Sequence, residues 1–194
     1  MKLVFATHNI HKLKEIQALL PQTIELLSLN DIGCNEEIAE TAATIEGNAL
    51  LKAQYVKKHY HYDVFADDTG LEVTALGGAP GVFSARYAGA QKSDIDNIAL
   101  LLKNMEAQQD RSAHFKTVIA LCMGDEVRTF EGIAKGYITK EPVGTNGFGY
   151  DPIFVPEGYL QTFAELSAAE KNRISHRARA FGKLIEALGE LPSN

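Results

Sequence analysis

At 194 residues, with 45% apolar and 23% charged side chains, the chain has the make-up of an ordinary globular protein. That length suits a single domain over 1–194, with or without two lobes, and buries a real core. A formal net charge of −6 argues against nucleic acid as the main partner, because phosphate-backbone binding needs a basic face; a small anion needs only a local positive site or a metal.

Cys34 and Cys122 fit neither a metal spacing nor a disulfide framework and read as reduced thiols of a cytoplasmic protein. The N-terminal stretch reads as a strand rather than a signal peptide, and no apolar run approaches the ~20 residues that span a bilayer. No membrane partner is therefore expected.

In chain order, residues 2–6 read as a buried strand. Residues 9–20 read as a helix with Ile10, Leu13, Ile16, Leu19 and Leu20 on one face, stopped by Pro21. A strand feeding a helix N-terminus is an anion site, since free N–H groups and the helix dipole point there. Thr7 and Asn9 add donors at this joint, and Lys12 adds a full charge. An asparagine N-cap followed by a solvated lysine accounts for the same residues. The glycines and terminal Lys-Ser/Thr of a Walker A loop are missing.

Residues 23–28 suggest a second strand, 35–46 an acidic loop, and 48–59 a helix with Leu50, Leu51 and Val56 at helical spacing. One of Glu36, Glu37, Glu40 or Glu46 would complete a hard-cation site with Asp68, but a solvated acidic face fits equally and the spacing does not choose. Residues 63–66 form a short apolar strand that ends at Asp67-Asp68-Thr69-Gly70, and residues 71–76 alternate as another. Two carboxylates at a strand's carboxyl end suggest a magnesium site or a general base; Asp-Asp-Thr-Gly is also good turn chemistry.

A turn-rich stretch, 77–81, leads to a helix over 93–105 with Ile95, Ile98, Leu101, Leu102 and Met105 on one face. Residues 113–123 and 127–137 read as a hairpin around Gly124-Asp125-Glu126. In the glycine-rich loop 144–150, glycines flank Phe148 and leave its ring open to stack on a planar base, a contact of ~1–3 kcal/mol; a tight turn with core-plugging aromatics is the alternative. Ser167 and Glu170 form a capping-box pattern that starts a helix at Ala168, running to about Leu188. On it Lys171, Ser175 and Arg179 share a face, with His176 and Arg177 nearby, as a local anion site or a solvated basic helix. The whole pattern is α/β with a mixed sheet. Its phosphate donors, carboxylates, stacking aromatic and basic residues together describe an enzyme acting on a nucleotide phosphate.

The order of these motifs resembles the inosine triphosphate pyrophosphatase family, specifically its bacterial dITP/XTP branch. The matching motifs are Thr7-His8-Asn9 with Lys12, Glu40-Thr41, Glu46 with Asn48-Ala49, and residues 66–70. They continue through 77–87, 147–154 and Glu170-Lys171 with Ser175-His176-Arg177. Two positions depart from it: His8, where many relatives have glycine, and Ala42, where an Glu-Thr-Gly run has its glycine.

The resemblance implies two α/β lobes around a long mixed sheet with flanking helices, and substrate in the cleft between them. It implies a homodimer that hydrolyses dITP, ITP and XTP to the monophosphate and pyrophosphate with magnesium. It also assigns roles. Thr7, His8, Asn9, Ile10, His11 and Lys12 grip the triphosphate. Glu40 and Asp68 are metal ligands, and Asp68 is also the proton acceptor. Thr69 and Lys171 touch substrate. Phe148, Gly149, Tyr150 and Asp151 form the base-side loop, with His176 and Arg177 as the base-recognition pair. Apart from the resemblance, Asp67 and Glu72 read from their positions as helpers of Asp68. Rival readings are a pyrophosphatase for modified or pyrimidine nucleotides, a nucleotide sensor, and a single-strand nucleic-acid binder.

Overall fold

The computed structural model describes residues 1–17 and 19–189. Its strands are β1 (Lys2–Phe5), β2 (Glu25–Ser28), β3 (Val64–Val73), β4 (Ser112–Met123), β5 (Glu126–Ile138) and β6 (Phe154–Pro156). Its helices are α1 (Ile10–Gln17), α2 (Ile45–Tyr60), α3 (Asp94–Asn104), α4 (Ala168–Ile174) and α5 (His176–Gly189). The strands form one sheet in the order β2-β1-β3-β4-β5-β6. β1 runs parallel to both β2 and β3, while β5 and β6 are antiparallel, so the sheet is mixed as expected.

The chain divides into two compact units. The first comprises Met1–Asp68, Val118–Glu131 and the chain from Ala180. Its core holds Phe5 stacked on Phe65 at 4.6 Å, with Phe181 edge-on to both. The second comprises Thr69–Thr117 and Gly132–Arg179, and its core packs Leu71, Val73, Ile98 and Leu101 with Phe115, Phe154 and Phe163.

Four expectations need correction. Asp67 to Gly70 is not a turn between two strands; β3 runs straight through it, and residues 74–76 form a 3-10 turn instead of strand. Apolar Phe65 and Ala66 on one side and Leu71 and Val73 on the other keep the strand buried, which overrides local turn preference. The C-terminal helix is broken in two. Ser175 is extended (φ −67°, ψ 154°), closes α4 through its N–H, and accepts the Ala178 N–H on its Oγ, so it caps α5. Helix faces also differ from the periodic reading: Ile16 is buried but Ile10 is 61% exposed, and Ile95 is 80% exposed. In α2, the buried face carries Asn48 and Lys52, while Leu51 is turned outward. Ala18, within the helix expected over 9–20, lies outside the described residues, as do the side chains of His11 and Glu15.

Candidate active site

In the first unit, β1 ends at Phe5, and after buried Ala6 the chain turns into α1 through Thr7, His8 and Asn9. Thr7 Oγ1 accepts the Asn9 N–H at 3.1 Å, and Asn9 Oδ1 accepts the Lys12 N–H at 3.2 Å. Asn9 is thus an N-cap, but Lys12 is not a solvated lysine. Its Nζ lies 2.9 Å and 2.8 Å from the two carboxylate oxygens of Asp67, whose side chain is fully buried. His8 and Ile10 are exposed at the start of the helix, and His8 Nε2 lies 3.1 Å from the Glu36 carbonyl.

Successive strand residues point to opposite faces, so Asp67 and Asp68 part company on β3. Asp68 meets α2: Asn48 Nδ2 donates to its Oδ2 at 3.3 Å, and Lys52 Nζ stands 3.9 Å from Oδ1. The same ammonium lies 2.5 Å from Glu40 Oε1. The acidic loop is thereby sorted. Glu36 accepts the hydroxyls of Tyr55 and Tyr60, Glu46 accepts from Thr129 Oγ1, and Glu40 shares Lys52 with Asp68. Burial pushes the Asp68 carboxyl up to about 6; Glu40 and Asp67 add to this, while Lys52 and Lys12 pull the other way. Burial works against the Lys52 charge, but Asp68, Asp67 and Glu40 together hold its pKa above the usual lysine value.

In the second unit, Thr69 Oγ1 pairs with Thr117 Oγ1 at 2.7 Å. Glu72, expected as a helper of Asp68, is engaged by His114 Nε2 at 2.6 Å. The base-side loop is built on Asp151, which is 3% exposed. Its Oδ2 accepts the Phe148 N–H at 2.9 Å and meets Lys171 Nζ at 2.5 Å. Gly147 (φ +78°) makes this possible, because a Cβ there would stand 2.0 Å from that same oxygen. Gly149 N–H donates to Asp94 Oδ2 at 2.7 Å, and the buried Tyr150 hydroxyl donates to the Ser84 carbonyl. Phe148 is 37% exposed, and its ring has Lys171 Nζ at 4.9 Å and Arg177 Cζ at 5.3 Å from its centroid.

The solvated basic helix is not found. Lys171, Ser175, His176 and Arg177 are all buried, and His176 stacks on Phe115 at 4.6 Å. With the helix broken at Ser175, Lys171 and Arg179 do not line one face; Arg179 bonds the Ile133 carbonyl instead. Sequence reasoning passed over Lys52 and Asp94, and named Asn48 only within a motif, without a role. For Lys52 and Asn48 a signal existed: polar residues spaced by four on a helix face otherwise made of Ile45, Ala49, Ala53 and Val56.

The sequence profile of the Ham1 family matches residues 3–187. This chain belongs to the Ham1 family. A dITP/XTP pyrophosphatase from Christiangramia forsetii is 57% identical over 190 residues, covering 98% of this chain and 100% of its own. That of Flavobacterium johnsoniae, of the same name, is 59% identical over 188 residues, covering 97% and 98%. The solved Ham1 protein from Coxiella burnetii matches with a TM-score of 0.93 at 40% identity, covering 98% of this chain and 100% of that one. Within this Ham1 chain, residues 7–12, Glu40 and Asp68 belong to the first unit; Thr69, Phe148–Asp151, Lys171, His176 and Arg177 belong to the second.

Proposed function

We propose that this chain hydrolyses dITP, ITP and XTP to the nucleoside monophosphate and pyrophosphate, removing deaminated purines from the nucleotide pool. The observation that carries this is similarity over nearly the whole chain to dITP/XTP pyrophosphatases at up to 59% identity. The chain is a nucleoside triphosphate pyrophosphatase, a hydrolase of nucleotide metabolism.

Residues 7–12 offer the triphosphate a capped helix N-terminus, with the Lys12 ammonium one turn in. Asp68, ionised above its pKa of about 6, accepts the proton of the attacking water near neutral pH. Lys52 holds Glu40 and Asp68 on one centre.

Magnesium fits this set. It takes one or two protein carboxylates and leaves the rest to water and substrate phosphate. Glu40 and Asp68, gathered on Lys52, supply that number. When bound, the ion neutralises charge on the phosphate oxygens.

Phe148 supplies a ring for stacking. Donors from His176 and Arg177 pair with the oxygen at C6 of hypoxanthine and xanthine, since the loop's Phe148, Gly149 and Asp151 N–H groups already donate to Asp151, Asp94 and the Phe148 carbonyl. Adenine presents an amino donor there, and buried donors left unpaired reject it. We also assign a homodimeric, cytoplasmic enzyme, in line with the family resemblance; no described helix is long and apolar enough to cross a membrane. Light scattering on the purified chain reads the first assignment.

The test is incubation of dITP, XTP, dATP and dGTP with magnesium, with products separated by chromatography. Pyrophosphate with dIMP or XMP, and little product from dATP and dGTP, is the expected result. Orthophosphate release, or equal use of all four, overturns the reading.

A further inference from the structure

Asn48 stands between the Glu40 loop and Asp68. It lies in the first turns of α2 and is fully buried. Its Oδ1 accepts the Ala42 N–H at 2.9 Å, and its Nδ2 donates to Asp68 Oδ2 at 3.3 Å. Only one orientation of the amide serves both partners, because a backbone N–H only donates and a carboxylate only accepts. The backbone under it is fixed as well. Asn48 N–H donates to the Thr44 carbonyl, and Thr44 Oγ1 caps the helix through the Gly47 N–H. A Cβ at Gly47 would stand 2.6 Å from Ala42 Cβ, so the loop lies hard against the helix start. The link to residue 42 uses only its backbone N–H. Alanine therefore serves there as well as glycine.

One turn on, Lys52 gives Asp68 and Glu40 a shared charge. An ammonium is a point charge that fixes distance more than direction. A carboxamide hydrogen bond is directional.

We propose that Asn48 is a positioning residue for the hydrolysis: it sets the orientation of the Asp68 carboxylate and locks it in register with the loop that carries Glu40. This rests on the roles of Asp68 and Glu40 given above.

Asn48→Asp is close to isosteric. It keeps an acceptor for the Ala42 N–H but turns a second carboxylate toward Asp68. The double variant Asn48→Asp/Asp68→Asn restores one amide and one carboxylate with their places exchanged. Melting of the metal-free protein reads the contact, and kcat and KM for dITP read the role. Asn48→Asp is expected to lower Tm by roughly 5 °C. It should lower kcat about a hundredfold, with KM within about threefold. The double variant regains most of the Tm and none of the kcat. Asn48→Ala, which adds no charge, loses about tenfold or more in kcat.

Recovery of folding by the double variant where Asn48→Asp does not fold supports the contact equally; where neither folds, the kcat of Asn48→Ala decides. Wild-type kcat in Asn48→Ala, with Asp68→Asn inactive, overturns the inference alone. Equal Tm losses in Asn48→Asp and the double variant overturn it too. Wild-type turnover in Asp68→Asn would instead remove the role of Asp68 itself.

Discussion

Around Asp68, lysines from α1 and α2 meet carboxylates from β3 and the Glu40 loop, and the carboxylates outnumber the lysines. Around Phe148 the balance is reversed. Lys171 and Arg177 gather on one ring, and Asp151 answers them. The first set suits a cation brought in with phosphate; the second suits the electron-rich edge of a base. They are also held differently. In the first, side chains of separate helices reach a straight strand. In the second, one buried carboxylate pins the backbone of its own loop through the Phe148 N–H. Rate should therefore be lost in the first set, and affinity and choice of base in the second.

The largest expected effect comes from Asp68→Asn. Turnover of dITP should fall by about a thousandfold or more. Above the pH where Asp68 ionises, the metal-free variant should melt no lower than wild type, because burial works against the charge that is removed. Calorimetry without metal, beside an activity assay, checks both. A large fall in Tm would make Asp68 a structural group instead.

Lys171→Met tests the second set by the opposite sign. It leaves Asp151 buried without its strongest partner, at a cost of about 3–5 kcal/mol, or roughly 10 °C in Tm. Thermal melts check this, and adding Asp151→Asn should recover part of the loss.

Phe148→Ala should be milder and specific. Losing a stack of ~1–3 kcal/mol raises KM for dITP about 5- to 150-fold, with kcat changed little. Steady-state kinetics decide it; a loss confined to kcat would place the ring away from the base.

The smallest effect lies at Glu36. Its own backbone N–H, then the hydroxyls of Tyr55 and Tyr60, hold its carboxyl down at about 2. A lowered pKa in the folded chain stabilises above the ordinary value near 4.5 and is lost as pH falls toward 2. Wild type should thus outlast Glu36→Gln in urea at neutral pH, and the gap should close in acid. A gap that persists at pH 2 would mean that packing, not charge, ties this loop.

Much of this was legible from the chain. The β1–α1 joint, α3, the β4–β5 hairpin and the capping box at Ser167 all follow from local rules, and the structure has each of them. Asp67-Asp68-Thr69-Gly70 misled because turn preference is local, whereas the lysines that compensate those carboxylates come from 55 and 16 residues away. β6 is three residues long, too short for any period to show. Ser175 reads as one polar residue in a helical pattern until its hydroxyl is seen capping α5. Among site residues, Asp68 and Phe148 stand out by type and setting. Lys52 and Asn48 are easier to miss, because charge and amide on a helix usually face water; their signal is the spacing of four on a face otherwise apolar.

The most direct test of the division between the two sets is the ratio of kcat/KM for dITP over dATP in two variants, Asp68→Glu and Arg177→Met. Asp68→Glu keeps the charge and shifts it by one methylene, so both substrates should slow together and the ratio should stay within about twofold of wild type. Arg177→Met should cut the ratio by about tenfold or more. A ratio that moves as far in Asp68→Glu as in Arg177→Met, or that does not move in Arg177→Met, would contradict the account.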